Sequence, residues 1–298
     1  MQRFKTSSSS RACKTLWCIA FSIVLLTVVV RLSGVTPVET IRCGSDSAVH
    51  CLGLSYDGSR VAYSLSLDKT VRIYDRRLGR VEAAFEMPSG RITSLTFDTT
   101  GKRLTAAIAI RGQESENAWV WDVGGGQPRV IGGVSTVRAA ERVAEHRVEW
   151  NSDDRAVFDH RLRLLFNSNY RPTSLFITDS RKEGDASPIY IYGHLDGIND
   201  WVFTPDGEVL ITAGGYVDHP WPVNRSGDVR LWDVRTGRRL ATLSTRLIWS
   251  SHWGGIAVIA ISGDGKILAT GGVDGLVKLW DLEGLLKRIG MWKAEKAG

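Results

Sequence analysis

One short pattern recurs along this chain of 298 residues and limits the folds that it can adopt. Three copies alternate apolar and polar residues and end in an aromatic residue and Asp: Val71–Asp75, Val229–Asp233 and Val277–Asp281. Two weaker copies end at Asp122 and Asp179, so successive aspartates lie 47 to 57 residues apart. Recurrence on this scale is typical of repeat architectures, in which each copy is one supersecondary unit.

A tight-turn signal precedes each copy and predicts a β-hairpin there. The five signals are Asp57-Gly58, Asp98–Gly101, Asn151–Asp154, Pro205–Gly207 and Gly263–Gly265. Asp and Gly supply the local hydrogen bonds and the positive φ that short reversals require. Strands alternate on both sides of each turn, so the sequence predicts an all-β chain built from antiparallel strands.

The repeat resembles that of the WD-repeat family of β-propellers. In that family a His before the inner strand, a Ser or Thr on the second strand, an Asp in the next turn and a Trp on the third strand form a buried hydrogen-bonded tetrad. The matching residues are His252, Thr270, Asp274 and Trp280 in copy five, His194, Thr212 and Trp232 in copy four, and Asp68 in copy one. The resemblance implies a structural role for them, because buried polar groups need hydrogen-bond partners.

The resemblance also implies a propeller of four-stranded antiparallel blades over residues 36–298. The blades are expected at about 48–90, 91–133, 146–194, 197–245 and 256–291. Five copies are fewer than the seven of most family members. The sequence leaves open whether five blades close the ring or whether open edges pair with another chain. Val38–Cys43 and Leu285–Trp292 compete for the place of the last blade's outer strand.

The N-terminal region predicts membrane targeting. Residues 1–14 form a cationic, Ser-rich tail, and residues 15–35 are apolar enough and, at up to 21 residues, long enough for one transmembrane helix. The absence of an Ala-x-Ala-like site favours an uncleaved anchor over a cleaved signal peptide. The positive tail predicts a cytoplasmic N-terminus, with residues 36–298 across the membrane. Cleavage would instead give a secreted domain.

The distribution of charge argues against nucleic-acid binding. The net charge is +6, but residues 1–31 contain five basic residues and no acidic one. The remaining chain has 33 Lys and Arg against 32 Asp and Glu, which is too balanced for a phosphate-binding field. Cys43 and Cys51 would face an oxidising compartment, and two buried thiols are favoured over a disulfide.

Insertions predict which side of the propeller binds a partner. The loops between the second and third strands are lengthened at 111–117, 167–174 and 216–227. The connections between blades are lengthened at 134–146 and 244–255. In the family both kinds of loop lie on one face, here called the loop-rich face; the opposite side is called the short-turn face. Candidate interaction residues on the loop-rich face are Tyr216, His219, Trp221, Trp249 and Trp253.

Catalytic motifs are absent from the sequence, and no catalytic residue, metal site or cofactor is predicted. Asp153, Asp154, Asp159 and His160 form an acidic cluster, whose first two members are interpreted as a hairpin turn. The leading hypothesis is a membrane-anchored, non-enzymatic scaffold that binds an unidentified protein partner. The alternative is a small-ligand sensor or an enzyme with a site at the propeller's central mouth.

Overall fold

The computed structural model describes residues 36–43, 47–66, 68–87, 90–109, 117–123, 129–131, 154–158, 162–167, 174–179, 189–192, 198–215, 227–243, 252 and 254–292. The chain divides into two units, Met1–Thr36 and Pro37–Gly298. The second unit contains all of the secondary structure given below.

The described strands form five four-stranded antiparallel sheets, which are called blades one to five. Blade one contains β2 (Val49–Leu54), β3 (Arg60–Leu65), β4 (Thr70–Asp75) and β5 (Arg80–Glu86). Blade two contains β6 (Arg91–Phe97), β7 (Arg103–Ala109), β8 (Asn117–Asp122) and β9 (Arg129–Ile131). Blade three contains β10 (Asp154–Phe158), β11 (Leu162–Asn167), β12 (Ser174–Asp179) and β13 (Ile189–Tyr192). Blade four contains β14 (Ile198–Phe203), β15 (Val209–Gly214), β16 (Val229–Asp233) and β17 (Arg239–Thr242).

Blade five takes its outer strand from the start of the second unit. It contains β18 (Ile256–Ile261), β19 (Ile267–Gly272), β20 (Leu276–Asp281) and, at its edge, β1 (Glu39–Arg42). The β1 strand pairs antiparallel with β20. The competing segment instead forms helix α1 (Leu282–Arg288), whose N-cap Asp281 accepts a hydrogen bond from the backbone N–H of Gly284. The lone strand at 38–43 therefore completes the last blade.

The second strands of blades one, four and five are almost entirely buried, because neighbouring blades cover them. Every residue of β15 is buried, and so are five of the six residues of β3, whereas the outer strand β5 is largely exposed. One apolar cluster lies between blades one and two and contains Trp121. Another lies between blades five and one and contains Tyr63. The core is thus divided among the junctions between blades.

The inner strands of blades four, five, one and two contact one another in that order. Each of these four strands is shifted in register against the second strand of its own blade, around His50, Thr93, Asn199 and Ala257. The approach between blades one and two is close. A Cβ at Gly53 would lie 2.6 Å from the carbonyl oxygen of Leu95, so only glycine fits there without movement of the backbone.

One sequence-based turn assignment was wrong. The turn of blade three was expected at Asn151–Asp154, but Asp154 is the first residue of β10. The connection to β11 consists of residues 159–161, because Phe158 pairs with Arg163. Residues 168–173 connect β11 to β12, and the longer connection in blade three, residues 180–188, joins β12 to β13.

Candidate interaction surface

In blade five, hydrogen bonds join the four residues that match the tetrad. His252 Nδ1 lies 2.8 Å from Asp274 Oδ1, and His252 Nε2 lies 2.7 Å from Thr270 Oγ1. The indole N–H of Trp280 donates to the same hydroxyl at 3.0 Å. When Nδ1 donates to the carboxylate, Nε2 is left to accept the hydroxyl proton of Thr270. Both ring nitrogens of His252 are therefore engaged inside the blade.

Blades four and one contain parts of the same arrangement. In blade four, Trp232 Nε1 donates to Thr212 Oγ1 at 2.8 Å, and His194 lies outside the described residues. In blade one, Asp68 accepts a hydrogen bond from the backbone N–H of Thr70 and forms an ion pair of 2.6 Å with Arg72. The Asp68 carboxylate thus holds the turn before β4, with an arginine as its charged partner.

Blade two has the aromatic member without its acceptor. Trp121 is buried, and its indole nitrogen has no hydrogen-bond partner among the described residues. By strand register, Ala106 takes the place that Thr212 and Thr270 occupy in blades four and five. Phe85 of blade one stacks on the Trp121 ring, with 5.3 Å between the centroids. Apolar packing therefore replaces the hydrogen bond in this blade.

Both ends of the loop at 216–226 lie beside the C-terminal end of the loop at 244–255. The backbone N–H of Gly227, which follows the loop at 216–226, donates to the carbonyl of Gly254 at 2.5 Å. A Cβ at Gly215 would lie 2.8 Å from the Cα of Gly227 and 2.9 Å from that of Gly255. With a φ of 118°, Gly215 also has a backbone conformation that favours glycine. The two loops are therefore held together at their bases.

An asparagine on the inner strand of blade four fixes this junction further. The side-chain amide of Asn199 donates to the carbonyls of Gly215 and Ile256, each at 2.8 Å. One carbonyl precedes the loop at 216–226, and the other follows the loop that ends at Gly255. We call Asn199, Gly215, Gly227, Gly254 and Gly255 the loop-base cluster. It fixes both ends of the loop at 216–226 relative to the C-terminal end of the other loop.

A carboxylate next to Asn199 joins the inner strands of the same two blades. Asp200 Oδ2 accepts the backbone N–H of Ile259 at 2.7 Å, and Oδ1 accepts that of Trp201 at 2.9 Å. Burial raises the pKa of Asp200 from 3.8 to about 7, against the lowering effect of these two N–H groups. Neither β15 nor β18 contains a titratable residue. The sequence had given no sign of this buried acid, because Asn-Asp is common in surface turns.

The structure describes only the surroundings of the proposed aromatic contacts. Tyr216, His219, Trp221, Trp249 and Trp253 all lie outside the described residues, as does the lengthened join at 134–146. His252 and Gly254, on either side of Trp253, are described, and His252 is fully buried. The five residues consequently remain predictions. What the structure adds is the loop-base cluster between their loops.

The short-turn face is made of hairpins that share one hydrogen-bond pattern. A Ser or Thr hydroxyl donates to an Asp two residues later, as in Ser55 with Asp57 at 2.9 Å and Ser262 with Asp264 at 2.6 Å. Burial would raise the pKa of Asp57, but hydrogen bonds from Ser59 and Ser55 and the charge of Arg77 outweigh it and lower the pKa to about 2. These carboxylates are therefore bound into their own turns.

Neighbouring turns of this face also contact one another. The backbone N–H of Asp264 in blade five donates to the carbonyl of Tyr56 in blade one at 3.0 Å. Arg60 of blade one donates to the carbonyl of Gly101 in blade two at 3.3 Å. A cleft of about 310 Å³ lies between these last two blades, and its lining includes Tyr56, Asp57, Arg60, Arg77 and Thr100. The short-turn face is thus continuous across blades five, one and two.

The described residues also bear on cysteine thiols, metal sites and membrane spans. Cys43 and Cys51 are both buried thiols that form no disulfide, and burial raises the pKa of Cys43 to about 12. Within the described ranges, no group of three or more His, Cys, Asp or Glu could hold a metal ion. The described residues include no helix both long enough and apolar enough to cross a bilayer. The predicted anchor at 15–35 lies outside them.

Comparison with known proteins identifies WD40 repeats in three regions. The family described as "WD domain, G-beta repeat" matches residues 36–75, 186–233 and 243–281. Each match ends at the terminal aspartate of β4, β16 or β20. The three strongest copies of the repeat are therefore confirmed, and so is the all-β arrangement of four-stranded antiparallel sheets.

One curated relative and one solved structure are also similar. Protein ROOT INITIATION DEFECTIVE 3 of Arabidopsis thaliana is 35% identical over 57 residues, which are 19% of this chain and 12% of that protein. The matched segment thus spans about an eighth of the relative's length. A chain from the structure titled "Crystal Structure of Mitotic Checkpoint Complex" has 16% identity and a TM-score of 0.42, over 83% of this chain and 96% of that one.

Proposed function

We propose that this WD-repeat chain is a membrane-anchored, non-enzymatic scaffold that binds a protein partner on its loop-rich face, at the junction of blades four and five. The observation that carries the proposal is the hydrogen bond from Gly227 to Gly254, which joins the bases of two long loops. The aromatic residues of both loops would then contribute to one surface. WD40 repeats are typical of scaffolds for protein interaction.

The composition of the two loops supports protein binding. One loop contains Tyr216, His219 and Trp221, with Trp221 between Pro220 and Pro222, and the other loop contains Trp249 and Trp253. Tyr and Trp are enriched among the residues that contribute most to interfaces. Prolines restrict the backbone, and the loop-base cluster fixes the loop ends, so less conformational entropy is lost when a partner binds.

A structural role for His252, at the end of the second loop, supports the non-enzymatic part of the proposal. Both ring nitrogens of His252 are hydrogen-bonded, to Asp274 and to Thr270. A general base needs a nitrogen free to accept a proton from a substrate. His252 therefore stabilises blade five. The loop-rich face then contributes aromatic and polar contacts for recognition.

The membrane part of the proposal depends on residues 15–35. Their apolar character and the cationic tail before them support an anchor with the N-terminus on the cytoplasmic side and residues 36–298 across the membrane. Mass spectrometry of the membrane-extracted protein should detect peptides from residues 1–14. A mature chain that begins near Val35 would replace the anchor with a cleaved signal peptide.

Capture of a partner by the detergent-solubilised full chain tests the interaction surface. We expect the double substitution Trp221→Ala and Trp253→Ala to weaken capture at least about 30-fold, since truncating an interface anchor costs about 2 kcal/mol or more. The matched control is Arg77→Gln with Arg235→Gln, because these side chains are 79% and 70% exposed in turns of the short-turn face. Thermal melts confirm that both variants are folded. Loss of capture in the arginine variant alone would contradict the proposal.

A further inference from the structure

Blade one has a histidine at the place where its inner strand is shifted in register. His50 lies between Val49 and Cys51, and the pairing of β2 with β3 skips it. In blade four the corresponding place is taken by Asn199, whose amide joins blades four and five. In blade one the imidazole instead contacts β6 of blade two. Unlike an amide, an imidazole changes its charge near neutral pH.

An arginine of blade two donates a hydrogen bond to this ring. The Nε–H of Arg91, the first residue of β6, donates to Nε2 of His50, with 2.9 Å between the two nitrogens. A guanidinium has only donors, so Nε2 of the ring is the acceptor. The other nitrogen, Nδ1, therefore carries the proton, and the ring is neutral in this contact. The hydrogen bond thus requires one tautomer and one charge state of His50.

Arg91 differs in its partner from other arginines of the same two blades. Arg60, Arg72 and Arg103 each form an ion pair with a carboxylate. Among the described residues Arg91 forms no such pair, and its side chain is exposed. A carboxylate holds a guanidinium at any pH above about 4, whereas an imidazole accepts a hydrogen bond only while it is neutral. The contact of Arg91 is therefore conditional on pH.

The contact lies at the loop-rich end of the junction between blades one and two. His50 is the second residue of β2 and Arg91 the first of β6, and both inner strands begin where the chain enters a blade. At the opposite end of the junction, Arg60 donates to the carbonyl of Gly101 at 3.3 Å. A polar contact thus joins the two blades near each face, and the one at the loop-rich face includes the histidine.

Arg91 is the charged group that faces the imidazole. The strands of blade five that pack against β2, which are β18 and β19, contain no titratable residue. On β3, Arg60 lies at the far end of the strand, and Tyr63 belongs to the apolar cluster between blades five and one. Beside the ring, the thiol of Cys51 donates to the carbonyl of Ile92 at 3.3 Å. These strands and β6 contain no carboxylate that could neutralise a positive ring.

Protonation of His50 is incompatible with this hydrogen bond. The imidazolium has donors at both nitrogens, so Nε2 would present a proton to the Nε–H of Arg91. Two positive groups would also face each other at a half-buried position, where water screens them incompletely. Burial of the ring and the charge of Arg91 accordingly lower the pKa of His50 from 6.5, although a hydrogen bond to the backbone of Ile92 raises it. The ring is therefore neutral at pH 7.

We propose that His50 and Arg91 form a pH-sensitive contact, which holds the loop-rich ends of blades one and two together while the imidazole is neutral and is lost when the ring is protonated. The guanidinium then turns to solvent, because no carboxylate of these strands replaces the imidazole as its partner. This inference concerns blades one and two. It depends neither on a membrane anchor nor on the partner surface at blades four and five.

The contact should make stability decline in acidic solution. The pKa of His50 in the folded protein lies below the 6.5 of an unperturbed imidazole, so the unfolded chain binds the proton more tightly. By linkage, the contribution of His50 is fully present above pH 6.5 and declines as the pH falls from there through the pKa of the folded state. Asp200, whose pKa is raised, responds in the opposite direction. The experiment must therefore observe His50 itself.

Hydrogen–deuterium exchange at the imidazole carbon between the two nitrogens gives the pKa of a single histidine in the detergent-solubilised full chain. We expect His50 to have a pKa at least about 0.5 below 6.5, and Arg91→Gln to raise it by a similar amount, because this substitution removes the facing charge. The matched control is Arg60→Gln, which removes a charge at the opposite end of the junction and should leave the pKa of His50 unchanged. Thermal melts confirm that both variants are folded.

Backbone amide exchange, corrected for the intrinsic effect of pH, tests the junction itself. Peptides from β6 should exchange at least about threefold faster at about pH 5 than at about pH 7.5 in the parent protein. In His50→Gln they should exchange equally at both, because the amide oxygen accepts a hydrogen bond and does not titrate.

Four results would overturn the proposal. The first two are a pKa of 6.5 or above for His50 and a pKa that Arg91→Gln leaves unchanged. The third is an equal rise of that pKa in Arg60→Gln, because the effect would then not be specific to the contact. The fourth is an exchange of β6 that does not depend on pH in the parent protein, or that depends on it equally in His50→Gln.

Discussion

The indole of Trp121 shows how one residue can leave a repeat locally incomplete. In blades four and five, the corresponding tryptophans donate to Thr212 and Thr270. In blade two, Ala106 takes that place, and Trp121 Nε1 is buried without a partner in the described structure. An unpaired buried donor costs about 1–3 kcal/mol. Blade two is therefore less stable than it would be with a hydrogen-bond acceptor beside Trp121.

Restoring an acceptor beside Trp121 should stabilise the protein. We expect Ala106→Ser to raise the free energy of unfolding by about 1 kcal/mol, because the hydroxyl can accept the indole N–H. The control is Ala269→Ser, which places a hydroxyl opposite Leu279 in an apolar cluster and should destabilise the protein. Urea unfolding of both variants gives the comparison. Equal destabilisation by the two changes would show that Trp121 finds another partner.

Trp280, in the tetrad of blade five, should contribute far more to the free energy of unfolding than His219, which lies in a long loop. Trp280→Ala creates a cavity and leaves Thr270 without a donor, so we expect a loss of about 3–5 kcal/mol. His219→Ala, in the loop between β15 and β16, should leave the melting temperature nearly unchanged. Thermal melts of the two variants test this order. The reverse order would contradict the assignment of strands in blades four and five.

At the scale of strands, the junction of β14 with β18 depends on one ionisable side chain. Asp200 connects the two inner strands through the N–H of Ile259. Its pKa of about 7 in the folded protein lies above the 3.8 of an unperturbed carboxyl, so the folded state binds the proton more tightly. By linkage, this group contributes most stability below pH 4 and loses that contribution as the pH rises to 7.

Asp200→Asn should remove this pH dependence and keep one acceptor oxygen, which can serve the N–H of Ile259. We expect the Asn variant to become more stable relative to the parent protein as the pH rises from 4 to 7, because only the parent loses the contribution of the protonated carboxyl. Asp200→Ala, which lacks the acceptor for Ile259, should destabilise the junction across the whole range. Urea unfolding at four pH values measures both. A constant difference between Asn variant and parent would mean that Asp200 ionises normally.

The strands that could be predicted from sequence were those with local signals. Alternation and Asp-Gly turns located β2 to β4 and β18 to β20, because hairpins join neighbours in the chain. The turn of blade three was misplaced, since Asp153-Asp154 has turn composition but Asp154 begins β10. The partner of β1 could not be chosen from sequence, because β20 lies more than 230 residues away. Pairing at that distance depends on the assembled blades.

At the scale of the whole molecule, sequence located the long loops but not what holds them. Their positions follow from counting residues between repeats. The loop-base cluster depends on contacts between blades, and glycines such as Gly227 appear in sequence as ordinary loop residues. Asn199 gave no signal either, since its two acceptors belong to residues 16 and 57 positions away. A sequence pattern that is defined within one repeat does not predict contacts between repeats.

The pairing of β1 with β20 also sets an order of events during translation. Leu276, at the start of β20, leaves the ribosome 237 residues after Glu39. At about 5–20 residues per second, β1 waits roughly 10 to 50 s for its partner. A waiting strand exposes edges that can pair wrongly. Glu39 and Arg42 place a charge at each end of this four-residue strand, which makes such pairing unfavourable until the last blade is made.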